Sequence, residues 1–180
     1  VKEKPFPRLT CKEALKKFGA DKFDLRTPEE KKANVQAFAW VLDFPLFEGT
    51  EGGWTFSHNP FSAAMLESHK DLMAKTNIEN IIALQYDLVL NGFEVAGGSI
   101  REHRPEVLKA THEIMGFSEE KIERDYRHIM KAFSYGVPPH GGIAPGIDRL
   151  VMCLLGDVAI RERQAFPMTA GGKTAVMDAP

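Results

Sequence analysis

The 180-residue chain is 43% hydrophobic, long enough to bury a core and closer in size to one domain than to two. Its 23 Lys and Arg stand against 25 Asp and Glu, a formal charge of −2, so there is no general pull toward nucleic acid or membrane and any polyanion must meet a local patch. No apolar run nears the roughly 18 residues that span a bilayer, the charged start "VKEKPFPR" is no secretory signal, and Cys11 and Cys153 form no C-x-x-C; a cytoplasmic protein with no membrane partner and two buried free thiols is expected.

Near the start, "LTCKEALKKFG" offers Thr10 as N-cap, Glu13 three residues on, an apolar stripe of Cys11, Leu15 and Phe18, and Gly19 as a stop, which predicts a short helix. The following "ADKFDLRTPEEKKANVQA" is polar and turn-rich. "FAWVLDFPLFE", Phe38 to Glu48, reads as a buried strand ended by Pro45, and the glycines and prolines from Gly49 to Pro60 read as a loop. Residues 63–83 have weak helical spacing and stay open between a helix and a mobile lid. In "YDLVLNGFEVAGGSIREH", Asn91-Gly92 predicts a two-residue hairpin turn, since both positions tolerate positive φ. Pro105 and Gly116 bound an expected surface helix, and Ser118 caps a second whose Ile122, Tyr126, Ile129 and Phe133 form one stripe. "VPPHGGIAPGIDRLVMCLLG" passes from a short strand into a helix with Ile147, Leu150, Val151 and Leu154 on one apolar face.

The hairpin brings charges together. If Leu90 faces Phe93, then Val89 faces Glu94 and Asp87 faces Ala96, so Asp87 and Glu94 are diagonal neighbours on one face. Two carboxylates that close repel unless a cation lies between them, and hard oxygen donors suit Mg²⁺ held with phosphates; a solvated sheet face is the plain alternative. Arg101 lies an odd number of residues beyond Glu94 and would face away, unless a bulge at Gly97-Gly98 shifts the register and returns it. There its planar fork suits a carboxylate or phosphate, or an ordinary ion pair with Glu94 or Glu102. In "GGIAPGIDRL", glycines allow close backbone approach and the helix start offers free N–H groups, although such a turn is commonly only a cap. Arg149 in the first turn opposes the helix dipole, which asks for an anion nearby. His58, in the loop before Pro60, either donates to a carboxylate or is simply solvated. No zinc spacing, P-loop or Ser/His/Asp order is present.

Taken together, "WVLDFPLFE", "HNPFS", "YDLVLNGFEVAGGSIREH", "GVPPHGGIAPGIDRLVMCLLG" and "IRERQAFPM", with the terminal "MDAP", closely resemble the last part of the catalytic domain of bacterial-type aspartyl-tRNA synthetases, enzymes of class II. The upstream "PFPRLTCKEALKKFGADKFDLR" is similar to the segment after motif 2. The resemblance implies an α+β fold, an antiparallel β-sheet flanked by helices, with residues 1–180 forming a partial catalytic domain from after motif 2 through motif 3 to the C-terminus and no anticodon-binding domain. It implies joining of L-aspartate to AMP from ATP with release of pyrophosphate, then transfer to tRNA(Asp), and a homodimer for full-length members. By position in the matching motifs, Glu94, Gly146, Ile147, Asp148 and Arg149 would contact ATP, with Arg149 and Glu94 catalytic; Asp87 and Glu94 would hold Mg²⁺; His58 and Arg101 would bind aspartate. This chain departs from the family's usual pattern at Asn59, Glu102, Pro145 and Met168, and Asn59 in place of a second His leaves room for tRNA(Asn) as an acceptor. The resemblance also admits a non-catalytic module that binds an amino acid, an adenylate or a protein partner.

Overall fold

A computed structural model describes residues 1–156 and 159–169; the terminal "MDAP" lies outside them. The strands in chain order are β1 (Arg8–Thr10), β2 (Phe38–Leu42), β3 (Phe47–Thr50), β4 (Gly53–Phe56), β5 (Gln85–Leu90), β6 (Phe93–Ile100) and β7 (Gly141–Pro145). Five of them form one sheet in the order β1-β2-β5-β6-β7, and β3 and β4 pair separately. Only β1 and β2 run parallel; the other neighbours are antiparallel. The helices are α1 (Cys11–Phe18), α2 (Pro28–Lys32), α3 (His69–Ala74), α4 (Pro105–Ile114), α5 (Glu119–Ser134) and α6 (Ile147–Leu155). The result is the α+β architecture expected from the sequence. Among the described residues no helix is long and apolar enough to cross a membrane.

Local chemistry explains where elements begin. The Thr10 hydroxyl accepts from the Glu13 N–H while Glu13 accepts from the Thr10 N–H, and Gly19 ends α1 at φ 76°, a reciprocal cap closed by a left-handed residue. The same device at Thr27 and Glu30 starts α2, a helix hidden by the polar composition of its segment. The strand expected over Phe38 to Glu48 is cut in two, because Asp43 sits at φ 59° and redirects the chain. Phe44 then enters one apolar cluster and Leu46 another. Nor is Gly49 to Pro60 simply a loop: Phe47 pairs with Phe56 and Thr50 with Gly53 in the β3–β4 hairpin.

Residues 63–83 are pinned rather than lid-like. They contain α3 and short 3₁₀ turns, bury Leu72 fully, and bridge Ala64 to Ala83. Helix α4 is not a surface helix, since Val107, Leu108, Ala110, His112 and Ile114 are all buried in it. Sequence spacing identified its ends but not the depth at which it docks. In α6 the expected apolar face of Ile147, Leu150, Val151 and Leu154 is divided: Leu150 packs beside the buried Met152 and Cys153 against Leu90 and Val95, and Ile147, Val151 and Leu154 are open to solvent. A helix this apolar has two candidate faces, and contact with the sheet decides between them.

The two faces of the main sheet therefore differ. Residues Ala39, Val41 and Val89 lie under Cys11 and Ala14 of α1, and the opposite face is covered by α6. Alternation puts Asp87 on the α1 side, beyond the end of that helix's cover.

Candidate functional site

The turn forms as its residues require, with Asn91 at φ 54° and Gly92 at φ 92°. Leu90 faces Phe93 and Val89 faces Glu94, but then the register shifts, so Leu88 faces Ala96 and Asp87 faces Gly97. The expected pairing of Asp87 with Ala96 is thus corrected, and so is the position of the bulge. It lies at Val95, not at Gly97-Gly98. Val95 is drawn into the apolar cluster with Leu90, Met152 and Cys153, and this burial offsets the unpaired backbone step. The functional consequence is the anticipated one: Gly97, Ser99 and Arg101 join the face of Asp87 and Glu94.

The glycine pair has a different use. A Cβ on Gly97 would lie 3.0 Å from Asp87 Oδ1 and 3.1 Å from Glu94 Oε1, so the missing side chain keeps the space between the carboxylates open. A Cβ on Gly98 would lie 2.1 Å from the Gly142 carbonyl oxygen and 2.7 Å from Tyr86 Cε2. Only glycine lets β7 approach there, and the Tyr86 hydroxyl donates to the same carbonyl at 3.0 Å.

A cleft of about 600 Å³ opens on this face, with His58, Asp87, Glu94 and Arg101 in its lining. Four of the sequence-predicted residues are therefore brought together. Gly146, Ile147, Asp148 and Arg149 line a smaller cavity of about 200 Å³, and Glu94 lines both. Arg149 donates to the Glu94 carbonyl at 2.9 Å and stands 4.0 Å from its Oε2. Glu94 is the anion that the dipole argument required. Asp148 accepts from the Gln164 amide.

The Asp87 side chain is the least satisfied in the cleft. The residue is only 3% exposed, and its Oδ2 has no hydrogen-bond partner. Burial, reinforced by the charge of Glu94, pushes its pKa from 3.8 up to about 7. Its donor chemistry fits a hard divalent cation: two carboxylates face one gap, and among the described residues no third His, Cys, Asp or Glu converges on them. Mg²⁺ on phosphates asks for one or two carboxylates and takes its remaining ligands from water and phosphate.

This carboxyl sets a pH dependence. Because its folded pKa is raised, the folded state holds the proton between the ordinary value and about 7, and stability falls as pH rises through that window. In the absence of divalent cations Asp87→Asn is expected to raise the melting temperature at pH 8 by several degrees, from a relief on the order of 4 kcal/mol at most. At pH 5 the gain should shrink. Equal gains at both pH values in thermal melts would show that the Asp87 charge is not the cause.

His58 stacks edge-on against Phe44 at 4.7 Å between centroids, and partial desolvation lowers its pKa, although the residue as a whole is exposed. The Arg101 N–H donates to the His140 carbonyl at 2.8 Å. Its guanidinium pairs with neither Glu94 nor Glu102, which settles that alternative. Glu102 is fully buried and binds the Arg104 Nε and Nη2, each at 2.9 Å, with Arg104 also meeting His69. Lys22, whose Nζ lies 3.3 Å from Glu94 Oε2, and Gln85, which lines the cleft, were missed. Gln85 was accessible to reasoning, two residues before Asp87 on the same face; nothing in the polar loop singles out Lys22.

Residues 1–170 match the family described as tRNA synthetases class II (D, K and N). The chain is 42% identical over 178 residues to an aspartate–tRNA ligase of Streptomyces coelicolor, covering 91% of this chain and 30% of that protein. It is 46% identical over 145 residues to an aspartate–tRNA(Asp/Asn) ligase of Phenylobacterium zucineum, covering 79% of this chain and 24% of that one. The aspartyl-tRNA synthetase structure from Entamoeba histolytica superposes with a TM-score of 0.62 at 24% identity, covering 91% of this chain and 32% of that one. The asparaginyl-tRNA synthetase structure from Pyrococcus horikoshii does so with a TM-score of 0.62 at 24% identity, covering 93% and 37%. The two structures establish the fold, and the chain spans under a third of the length of these curated relatives.

Proposed function

Since the chain belongs to the class II tRNA synthetases of the D, K and N group, we propose that its cleft is the aspartate and phosphate portion of an aspartate–tRNA ligase site. The reaction joins L-aspartate to AMP from ATP, releases pyrophosphate, and passes the aspartyl group to tRNA(Asp). The relative named for both tRNA(Asp) and tRNA(Asn), together with Asn59, supports tRNA(Asn) as a second acceptor. Residues 1–180 then form part of a larger catalytic unit.

Adenylation needs no protein nucleophile. The aspartate α-carboxylate attacks the α-phosphorus in line and the bond to pyrophosphate breaks, so the residues contribute alignment and charge. Arg101 receives the side-chain carboxylate of aspartate with its planar fork. His58 stands in the same cleft and contacts the amino acid. Arg149 and the start of α6 face the nucleotide phosphates, where a helix N-terminus favours anions. Asp87 and Glu94 would hold Mg²⁺, which when bound neutralises phosphate charge. Deprotonated Asp87 is the form that binds a cation, so this role strengthens as pH rises through about 7.

The observation that supports this most is the buried, unpartnered Asp87 carboxylate facing Glu94 in the cleft that Arg101 also lines. The test is aspartate-dependent exchange of pyrophosphate into ATP by the protein carrying these residues, with asparagine as competitor. ATP turnover that ignores aspartate would overturn the reading in favour of a nucleotide hydrolase.

A further inference from the structure

Arg101 is held by a ring rather than by a carboxylate. Its guanidinium carbon lies 5.3 Å from the centroid of Phe61, within the roughly 6 Å at which a cation is attracted by an aromatic face. Among the described residues the guanidinium makes no ion pair.

The ring itself is fixed from several directions. Asn59 Oδ1 accepts from the Phe61 N–H at 3.0 Å and from the Ser62 hydroxyl at 3.3 Å, a local turn that presents the side chain. The Phe61 carbonyl accepts from the Glu102 N–H at 2.8 Å, and Ser62 bridges to Arg101, so ring and guanidinium come from paired backbone. Around the ring stand His112 and Tyr126, each 6.0 Å from its centroid, with the two of them 4.1 Å apart. His112 is fully buried, and burial lowers its pKa, which favours a neutral neighbour for the ring.

We propose that Phe61 is a positioning residue for aspartate, its ring face acting as the platform that holds the Arg101 guanidinium open toward the substrate carboxylate. The inference rests on Arg101 being the ligand of that carboxylate. A carboxylate partner would also orient an arginine, but it would occupy the same N–H donors and repel the substrate. An aromatic face attracts the cation while leaving its edge donors free. The Asn59 turn thus acts on substrate binding through Phe61.

In pyrophosphate exchange, Phe61→Leu is expected to raise KM for aspartate about 3- to 30-fold, the range of a cation–π contact, with KM for ATP and kcat moved less than about twofold. Phe61→Tyr, which keeps the ring face, should recover most of the affinity. Fluorinated phenylalanines at position 61 preserve shape and weaken the ring's negative face, so KM for aspartate should climb stepwise with fluorine number, and this series decides if Phe61→Leu does not fold. An unchanged aspartate KM across the series overturns the platform, as does a loss in which both substrates' KM values rise together. If Arg101→Ala leaves exchange intact, the assignment of Arg101 itself fails, and that outcome is distinct from the others.

Discussion

Arg101→Ala is expected to lower kcat/KM for aspartate in pyrophosphate exchange by roughly 30- to 4,000-fold, equivalent to about 2 to 5 kcal/mol for removing one partner of a desolvated charge pair. The loss should fall on aspartate, because Arg101 lines the larger cleft and Arg149 the smaller one. KM for ATP should stay nearly constant. Arg101→Lys should recover little, since an ammonium offers no planar fork and lies less well on the Phe61 face. Selectivity is the second readout. In the parent protein asparagine leaves the guanidinium without its carboxylate and should compete poorly; in the alanine variant that disadvantage should narrow, as both amino acids then bind weakly. Equal loss for ATP and aspartate would mean that Arg101 supports the fold rather than the substrate.

Gly98→Ala should be the most damaging single-methyl substitution in the sheet. The added Cβ would overlap the Gly142 carbonyl oxygen, at 2.1 Å, and crowd the Tyr86 ring. The first obstacle is backbone in a paired strand, where Gly98 faces Ile143 and Ser99 faces Gly142, so it cannot swing aside. Relief requires β7 to separate from β6. Overpacking a site that can relax costs about 1 to 3 kcal/mol, and this one should lie at or above the upper end. A fall in melting temperature of at least about 6 °C follows from the usual scaling for a chain of this size. Gly142→Ala is the matched control, because a Cβ there meets nothing within 4 Å; its melting temperature should change by no more than about 2 °C. Gly98→Ala should also cost activity, since β7 leads directly into the helix that presents Arg149. Equal melting temperatures for the two variants would refute the close-approach argument.

Much of the site could be read before the fold was seen, and the reasons are local. Asn91-Gly92 defined the turn, the turn defined which residues face each other, and alternation then placed Asp87 with Glu94. Arg101 could reach that face only through a bulge, so the need for one was legible. Its location was not: the glycines looked permissive, whereas the bulge follows from the burial of Val95, which depends on α6. The same limit explains the depth of α4 and the shifted buried face of α6, where starts were set by Pro105 and Gly146 and burial by docking. Phe61 carried no local signal as a platform, because its partners are Arg101 just beyond β6, His112 of α4 and Tyr126 of α5.

Val95 makes the cleft depend on parity. An even number of backbone steps between Asp87's partner and Arg101 keeps them on one side of the sheet, while the single extra residue after Glu94 reconciles that side with the turn. Loss of residue 95 would remove the bulge and leave Gly97 opposite Asp87, whereas insertion of one residue between Gly98 and Arg101 would keep every named ligand in the sequence and yet turn Arg101 to the other side of the sheet. Part of this site is therefore written as a count, odd or even, which a comparison of residue identities alone does not register.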